Sequence, residues 1–193
     1  ASYLAGRLAF DFYNHGTKGA MNSIRRNATL LKKIFVPKRM FAISSICYEF
    51  VNFLISFVIL FGVMLITGAP FHWTLVLSII PLIFLIILIF GVGLILAVCN
   101  TYFTDVGYLY NVFTLILLYA FAMFYPIEIV PPKFQMIFTL NPVYCAMSCF
   151  RRCVFGVPPD WSMVLYLAAF AFTTLGIGIL LFSMYEKKLT LEL

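Results

Sequence analysis

Residues 73–99 read WTLVLSIIPLIFLIILIFGVGLILAVC, a run without a single charged side chain. The hydrocarbon core of a bilayer takes about 20 apolar helical residues to cross, so this stretch is long enough to span. Lipid offers no partner to exposed N–H and C=O groups, which leaves helix or closed barrel as the only solutions. A barrel strand would alternate apolar and polar residues over short segments; this run is apolar throughout, and it reads as a helix. Three further runs have the same character: 40–67, 108–127 and 162–185. Hydrophobic residues make up 64% of the chain and charged residues 10%, with a mean hydropathy of +1.05. A soluble domain is about half apolar and a quarter charged. The composition excludes a soluble enzyme, a disordered chain and a nucleic-acid binder.

The net charge of +6 is concentrated at one place: eight of the thirteen Lys/Arg lie in residues 1–39, beside a single acid, Asp11. Basic flanks stay in the cytoplasm. Residues 14–39, with Lys18, Arg25, Arg26, Lys32, Lys33, Lys38 and Arg39, are therefore expected inside. The first span then runs outward and turns at Gly68-Ala69-Pro70. Residues 100–107 form a cytoplasmic turn, and the tail Glu186-Lys187-Lys188 returns to the cytoplasm. Ten basic residues fall inside and three outside, the three being Lys133, Arg151 and Arg152.

Ala1–Tyr13 is apolar but too short to cross, and it lacks the pattern of a secretory signal. It reads as the cytoplasmic end of a span whose beginning is missing. Arg7 and Asp11, four apart, can pair on one helical face. Residues 128–157 are broken by Pro131-Pro132 and Asn141-Pro142 into two short apolar pieces, Lys133–Leu140 and Val143–Phe155. Neither can span, so both are expected as re-entrant or interfacial helices on the outer side. The expected fold is an all-α polytopic membrane bundle, a single domain over residues 1–193. It holds four full spans, the end of a preceding span and two short outer helices.

Polar residues inside a membrane are costly and mark candidate sites. Glu49 and Asn52 share a face of the first full span; they serve either a helix–helix hydrogen bond or a substrate path. Residues 19–36 read as an amphipathic cytoplasmic helix with Met21, Ile24, Ala28, Leu31 and Phe35 on one face. Asn22 or Ser23 would cap it and Pro37 would end it. This helix either lies on anionic lipid or docks a cytoplasmic partner. Asp105 suits the N-terminus of the third full span. His15 and His72 stand apart near membrane edges, so no catalytic constellation emerges. Cys145, Cys149 and Cys153 recur every four residues on one helical face, as packing residues or, in the alternative, as a metal or redox site. No GxxxxGK[ST] phosphate loop is present, which removes that route to ATP hydrolysis. The aromatic residues, 18% of the chain, are lipid-facing bulk, interfacial belts or stacking surfaces for sugars.

A resemblance joins these pieces. Asn22-Ser23-Ile24, Asn27-Ala28, Leu31-Lys32-Lys33-Ile34 and Pro37 resemble the segment before the third span of ABC transporter permeases. The subfamily exports polysaccharides and polyol-phosphate polymers, O-antigen and teichoic acid among them. Phe103-Thr104-Asp105-Val106 resembles that family's turn between its fourth and fifth spans, with Thr104 where Arg is frequent. Tyr125-Pro126, Pro131, Leu140-Asn141-Pro142 and Phe150-Arg151 resemble the broken outer segment. Ala5-Gly6 through Phe10-Asp11-Phe12 resemble the end of the family's second span; the resemblance implies that the family's opening amphipathic helix, its first span and most of its second would fall before this sequence.

The resemblance implies a non-enzymatic permease subunit in the bacterial cytoplasmic membrane. It would pair with a second copy of itself and with a cytoplasmic ATPase. ATP and Mg would bind that partner, and this chain would hold no cofactor. The cargo would be a lipid-linked glycan or polyol-phosphate polymer. Asn22, Ser23, Arg25, Arg26, Asn27, Leu31, Lys32 and Lys33 would couple to the ATPase. Arg7, Asp11, Glu49 and Asn52 would be the intramembrane polar set. Tyr125, Pro126, Asn141, Pro142 and Arg151 would mark the outer exit. The competing readings are an ABC permease for drugs or other lipids, a membrane glycolipid-modifying enzyme, and an assembly protein without cargo.

Overall fold

The computed structural model describes residues 2–33, 37–66, 72–120 and 131–185. In chain order the helices are α1 (Ser2–Arg26), α2 (Ala28–Lys33), α3 (Arg39–Ile66), α4 (Thr74–Leu77) and α5 (Ile79–Tyr102). They continue with α6 (Val106–Ala120), α7 (Pro132–Thr139), α8 (Pro142–Val154) and α9 (Trp161–Tyr185). No strand occurs among the described residues.

Among the described residues, three stretches are long and apolar enough to cross a membrane: α3, α4 with α5, and α9. They coincide with the runs expected at 40–67, 73–99 and 162–185. The run expected at 108–127 starts as α6 and is described as far as Ala120; its remainder lies outside the described residues. So do the turn Gly68-Ala69-Pro70, the tail Glu186-Lys187-Lys188, and Tyr125 and Pro126.

Local chemistry accounts for the interruptions. Pro81 has no N–H to offer the carbonyl of Leu77, and α4 ends at Leu77 with α5 resuming after Ser78. Asn141 accepts the N–H groups of Val143 (2.9 Å) and Tyr144 (3.4 Å), and Pro142 occupies the first position of α8, where its missing N–H costs nothing. At the other end Gly156 adopts φ +83°. Val157 N–H reaches back to the Arg152 carbonyl at 3.0 Å, a Schellman closure that needs the left-handed residue between. The two outer pieces expected at 133–140 and 143–155 are thus α7 and α8.

The N-terminal region departs from the sequence reading. A span end at Tyr13 and a separate helix over 19–36 were expected. Instead α1 runs unbroken from Ser2 to Arg26, and only Ala28–Lys33 forms a second helix, α2. Asn22 and Ser23 are not caps. The Asn22 amide donates to the Lys18 carbonyl at 3.0 Å and Ser23 Oγ to the Ala20 carbonyl at 2.6 Å, both bonds of a helix interior. Met21 and Ile24 lie in the bundle core, 3% and 0% exposed.

α5 is the central helix. A Cβ on Gly91 would lie 2.5 Å from the Leu175 backbone nitrogen of α9, and one on Gly93 would lie 2.7 Å from Ala20 Cβ of α1. Positions two apart on a helix point about 200° apart, so α5 is clamped from opposite sides by α9 and α1. Close approach through small residues is how helices associate in lipid, where apolar contact alone gives no advantage. α3 packs on the other flank of α1 through Phe12, whose ring centroid lies 5.0 Å from that of Phe53. Arg39 stands over the Phe182 ring at 5.8 Å and Tyr102 meets Tyr185 at 5.5 Å. The start of α3 and the ends of α5 and α9 therefore share one end of the bundle, which also carries the last turn of α1. The outer surface is apolar, with Val58, Ile66 and Leu165 all more than two thirds exposed. Such a surface has no place in water and suits lipid.

Candidate functional site

α1 carries most of its polar residues on one side. Arg7, Asp11, Asn14, His15, Lys18, Asn22 and Arg25 fall within a sector of about 100° at 100° per residue. The opposite face, including Ala5, Ala9, Phe12, Gly16, Ala20 and Ile24, enters the core. The result is a polar stripe along the whole helix.

Arg7 and Asp11 form the ion pair expected of them: Arg7 Nε lies 3.0 and 2.9 Å from the two Asp11 carboxylate oxygens. Glu49 and Asn52 also meet, the Asn52 amide donating to Glu49 Oε2 at 3.3 Å. The tertiary fold then joins the two sets. α1 and α3 enclose a cleft of about 210 Å³ lined by Asp11, His15, Glu49, Asn52 and Ser56, with Phe12 and Phe53 among its apolar walls. His15, set aside in the sequence as a residue near a membrane edge, is in this lining with the two acids. Its place in the i, i+4 series Arg7, Asp11, His15 was the signal that could have found it. Asn14 Oδ1 is buried without a hydrogen-bond partner among the described residues.

The far half of the stripe borders α5 and α6. Asn100, 3% exposed, donates to the Met21 carbonyl and to Asn22 Oδ1, each at 3.3 Å. Tyr110 of α6 donates to Thr17 Oγ1 at 2.7 Å, and Thr17 in turn to the Tyr13 carbonyl at 2.8 Å. Lys18, Asn22 and Arg25 border a second pocket of about 290 Å³ with Asn100, Thr104 and Asn111.

Of the residues expected to couple to a partner, Arg25 and Arg26 are exposed at the end of α1, and Asn27 donates to the Ser23 carbonyl at 2.8 Å. Leu31, Lys32 and Lys33 belong to α2; their side chains lie outside the described residues. Of the outer set, Asn141 and Pro142 start α8 and Arg151 stands in its last turn. Neighbouring Phe150 packs on Phe53 and Phe57 of α3, at 6.1 and 5.9 Å between ring centroids. Asp105 immediately precedes α6, and its carbonyl accepts the Leu109 N–H at 3.0 Å. His72 lies against Gly156.

Cys145, Cys149 and Cys153 are all fully buried. Burial pushes the Cys145 thiol up to about 12 and those of Cys149 and Cys153 to about 11. They are packing residues held as neutral thiols. No group of three His, Cys, Asp or Glu among the described residues is placed to hold a metal ion.

Two O-antigen export system permease proteins, both named RfbA and both from Klebsiella pneumoniae, are similar to this chain. Each is 22% identical over 180 residues, 91% of this chain and 69% of the relative. Residues 4–155 match the ABC-2 type transporter family. That match reaches from α1 to the end of α8 and takes in the whole polar stripe with α3 and α5, which flank it. A multi-pass membrane protein built this way is a transporter membrane domain, and the chain belongs to the ABC-2 type transporter family.

Proposed function

We propose that this chain is the membrane subunit of an ATP-driven exporter. Its cargo is a lipid-linked polysaccharide or polyol-phosphate polymer, carried across the cytoplasmic membrane of a bacterium. The similarity to O-antigen export permeases supports this cargo class. The observation that carries the reading is the polar stripe of α1, joined by Glu49 and Asn52 of α3 in one cleft. A hydroxyl-rich polymer leaving water loses hydrogen bonds worth roughly 2–7 kcal/mol for each group left unpaired. Carboxylates, amides and hydroxyls along one helix face replace those bonds step by step, while α3, α5 and α9 keep lipid out.

The basic end of the bundle faces the cytoplasm in this reading. A cytoplasmic ATPase, with its own ATP and Mg, docks there on the last turn of α1 and on α2. α1 then transmits its movement directly into the cleft, since coupling end and polar stripe belong to one rigid helix. A second copy of the chain completes the passage. The region of Asn141, Pro142 and Arg151 lies toward the exit.

Export of O-polysaccharide to the cell surface, from cells expressing the chain with its ATPase, tests the reading. Glu49→Leu is expected to reduce surface polysaccharide at least tenfold at an unchanged membrane level. Unaltered export by that variant would remove the cleft from the path.

A further inference from the structure

The second pocket lies where the last turns of α1 meet the turn between α5 and α6, at the basic end of the bundle. Lys18 and Arg25 lie two turns apart on the same face of α1 and both border it, with Asn22, Asn100, Thr104 and Asn111 completing its polar lining. No carboxylate lines it. Lys18 and Arg25 make no ion pair or hydrogen bond through their side chains among the described residues, although Arg7 and Arg152 each have an acid within 4.0 Å. The buried Asn100 amide holds Asn22 in place through its 3.3 Å bond. Among the described residues, the Thr104 hydroxyl and the Asn111 amide have no hydrogen-bond partner, and they remain available as donors. Two unpaired cations with free neutral donors, in a pocket of about 290 Å³, suit a multiply charged oxyanion.

The surroundings point to an oxyanion that carries a hydrocarbon chain. Tyr108 borders the pocket and is 75% exposed. Leu109, Val112 and Phe113 continue an exposed apolar surface along α6 away from it. A free phosphate would use the cations and leave this surface bare; a lipid would use both.

We infer that the pocket formed by Lys18, Arg25, Asn22, Asn100, Thr104 and Asn111 binds the phosphate group of a membrane lipid. Two lipids share that chemistry, a polyprenyl diphosphate and an anionic phospholipid of the bilayer. Choosing the diphosphate as a probe rests on the export reading above; the pocket itself does not.

The test uses the chain in nanodiscs of phosphatidylcholine, with bound lipid counted by native mass spectrometry. Undecaprenyl diphosphate and phosphatidylglycerol are the two probes, added singly and in competition. Wild type is expected to retain a probe at least tenfold more tightly than Lys18→Gln with Arg25→Gln. The charge-conserving pair Lys18→Arg with Arg25→Lys is expected to keep most of the binding, which separates lost charge from lost fold. Preference for the diphosphate assigns the site to a substrate carrier, and equal competition assigns it to bilayer phospholipid; both outcomes support the phosphate site. Equal binding by wild type and the Gln pair, or no binding of either lipid by wild type, overturns it. Neither of those results touches the export reading, which the surface-polysaccharide measurement decides separately.

Discussion

Glu49 and the three thiols of α8 illustrate how differently burial treats polar side chains. Glu49 keeps an amide partner and opens on a cleft with Asp11 and His15, so its carboxylate has company in an otherwise apolar helix. The thiols are fully buried, with carbonyl oxygens as their contacts, Cys145 Sγ lying 3.2 Å from the Thr139 carbonyl and Cys149 Sγ 3.9 Å from that of Asp160. Desolvation disfavours the thiolate, and the thiolate is the nucleophile. A membrane-permeant maleimide at pH 8 is therefore expected to leave Cys145, Cys149 and Cys153 unmodified in the folded protein and to modify all three in SDS; peptide mass spectrometry reads the difference. The same shifts carry a stability consequence. Unfolded thiols ionise near about 8.5, while the folded ones hold their protons to about 11 or 12. The unfolded state thus loses protons first, and this contribution to stability falls as pH rises from about 9 toward 11.

Among the elements, the α5–α9 contact is the tightest. Gly91 and Gly178 face each other, and a Cβ on Gly178 would lie 2.7 Å from the Gly91 carbonyl oxygen. Backbone cannot step aside as a side-chain tip can. Gly91→Ala is expected to cost about 1–3 kcal/mol through forced separation of the helices. Gly62→Ala in α3 and Gly176→Ala in α9 meet nothing within 4 Å, and they are expected to be neutral or stabilising by up to about 1 kcal/mol through helix propensity. Thermal unfolding in detergent, comparing all three, checks this. The cap of α8 gives a milder expectation: Asn141→Ala removes the acceptor for two N–H groups and is expected to cost about 1 kcal/mol. At the end of α1, Arg25 borders the lipid pocket while Arg26 is exposed and does not line it. Arg26→Glu is expected to reduce co-purification of the ATPase at least several-fold while leaving membrane insertion intact, since reversal at a charged interface costs several kcal/mol. Unchanged co-purification would move the docking surface elsewhere.

For the whole molecule, the ring contacts Arg39–Phe182 and Tyr102–Tyr185 put Arg26 and Trp161 at opposite ends of the bundle. α9 alone is about 37 Å long at 1.5 Å per residue, enough to cross the hydrocarbon core. Cysteines introduced at Arg26 and Trp161, in a chain with Cys47 and Cys99 replaced, are expected to react with an impermeant reagent from opposite sides of intact cells. Arg26→Cys should be protected and Trp161→Cys labelled from outside. Labelling of both from outside would reverse or abolish the orientation read from the basic residues. The buried thiols of α8 can stay in place, because the reagent cannot reach them.

The amino-acid sequence alone determined the spans at α3, α5 and α9 and the two short helices α7 and α8. Their signals are local: uninterrupted apolar runs, and Pro or Asn-Pro punctuation that removes or satisfies backbone groups within a few residues. It also determined the pairs Arg7–Asp11 and Glu49–Asn52, since three- and four-residue spacing on a helix is a local distance. Only the tertiary structure decided that α1 continues through residues 14–18. The sequence reading ended one helix at Tyr13 and began another at Gly19, leaving those residues between them. In the folded bundle a Cβ on Gly16 would meet Ile89 at 2.8 Å and one on Gly19 would touch Ser45 at 3.6 Å, so these glycines serve close packing against α5 and α3 rather than a turn. With that helix unbroken, residues that seemed to belong to a membrane end and to a cytoplasmic arm became one polar stripe. The cleft with Glu49 and the pocket with Asn100 exist because α3 and α5 flank the same helix. Contacts between residues more than thirty positions apart depend on which faces pack together, and that is settled by the whole bundle at once.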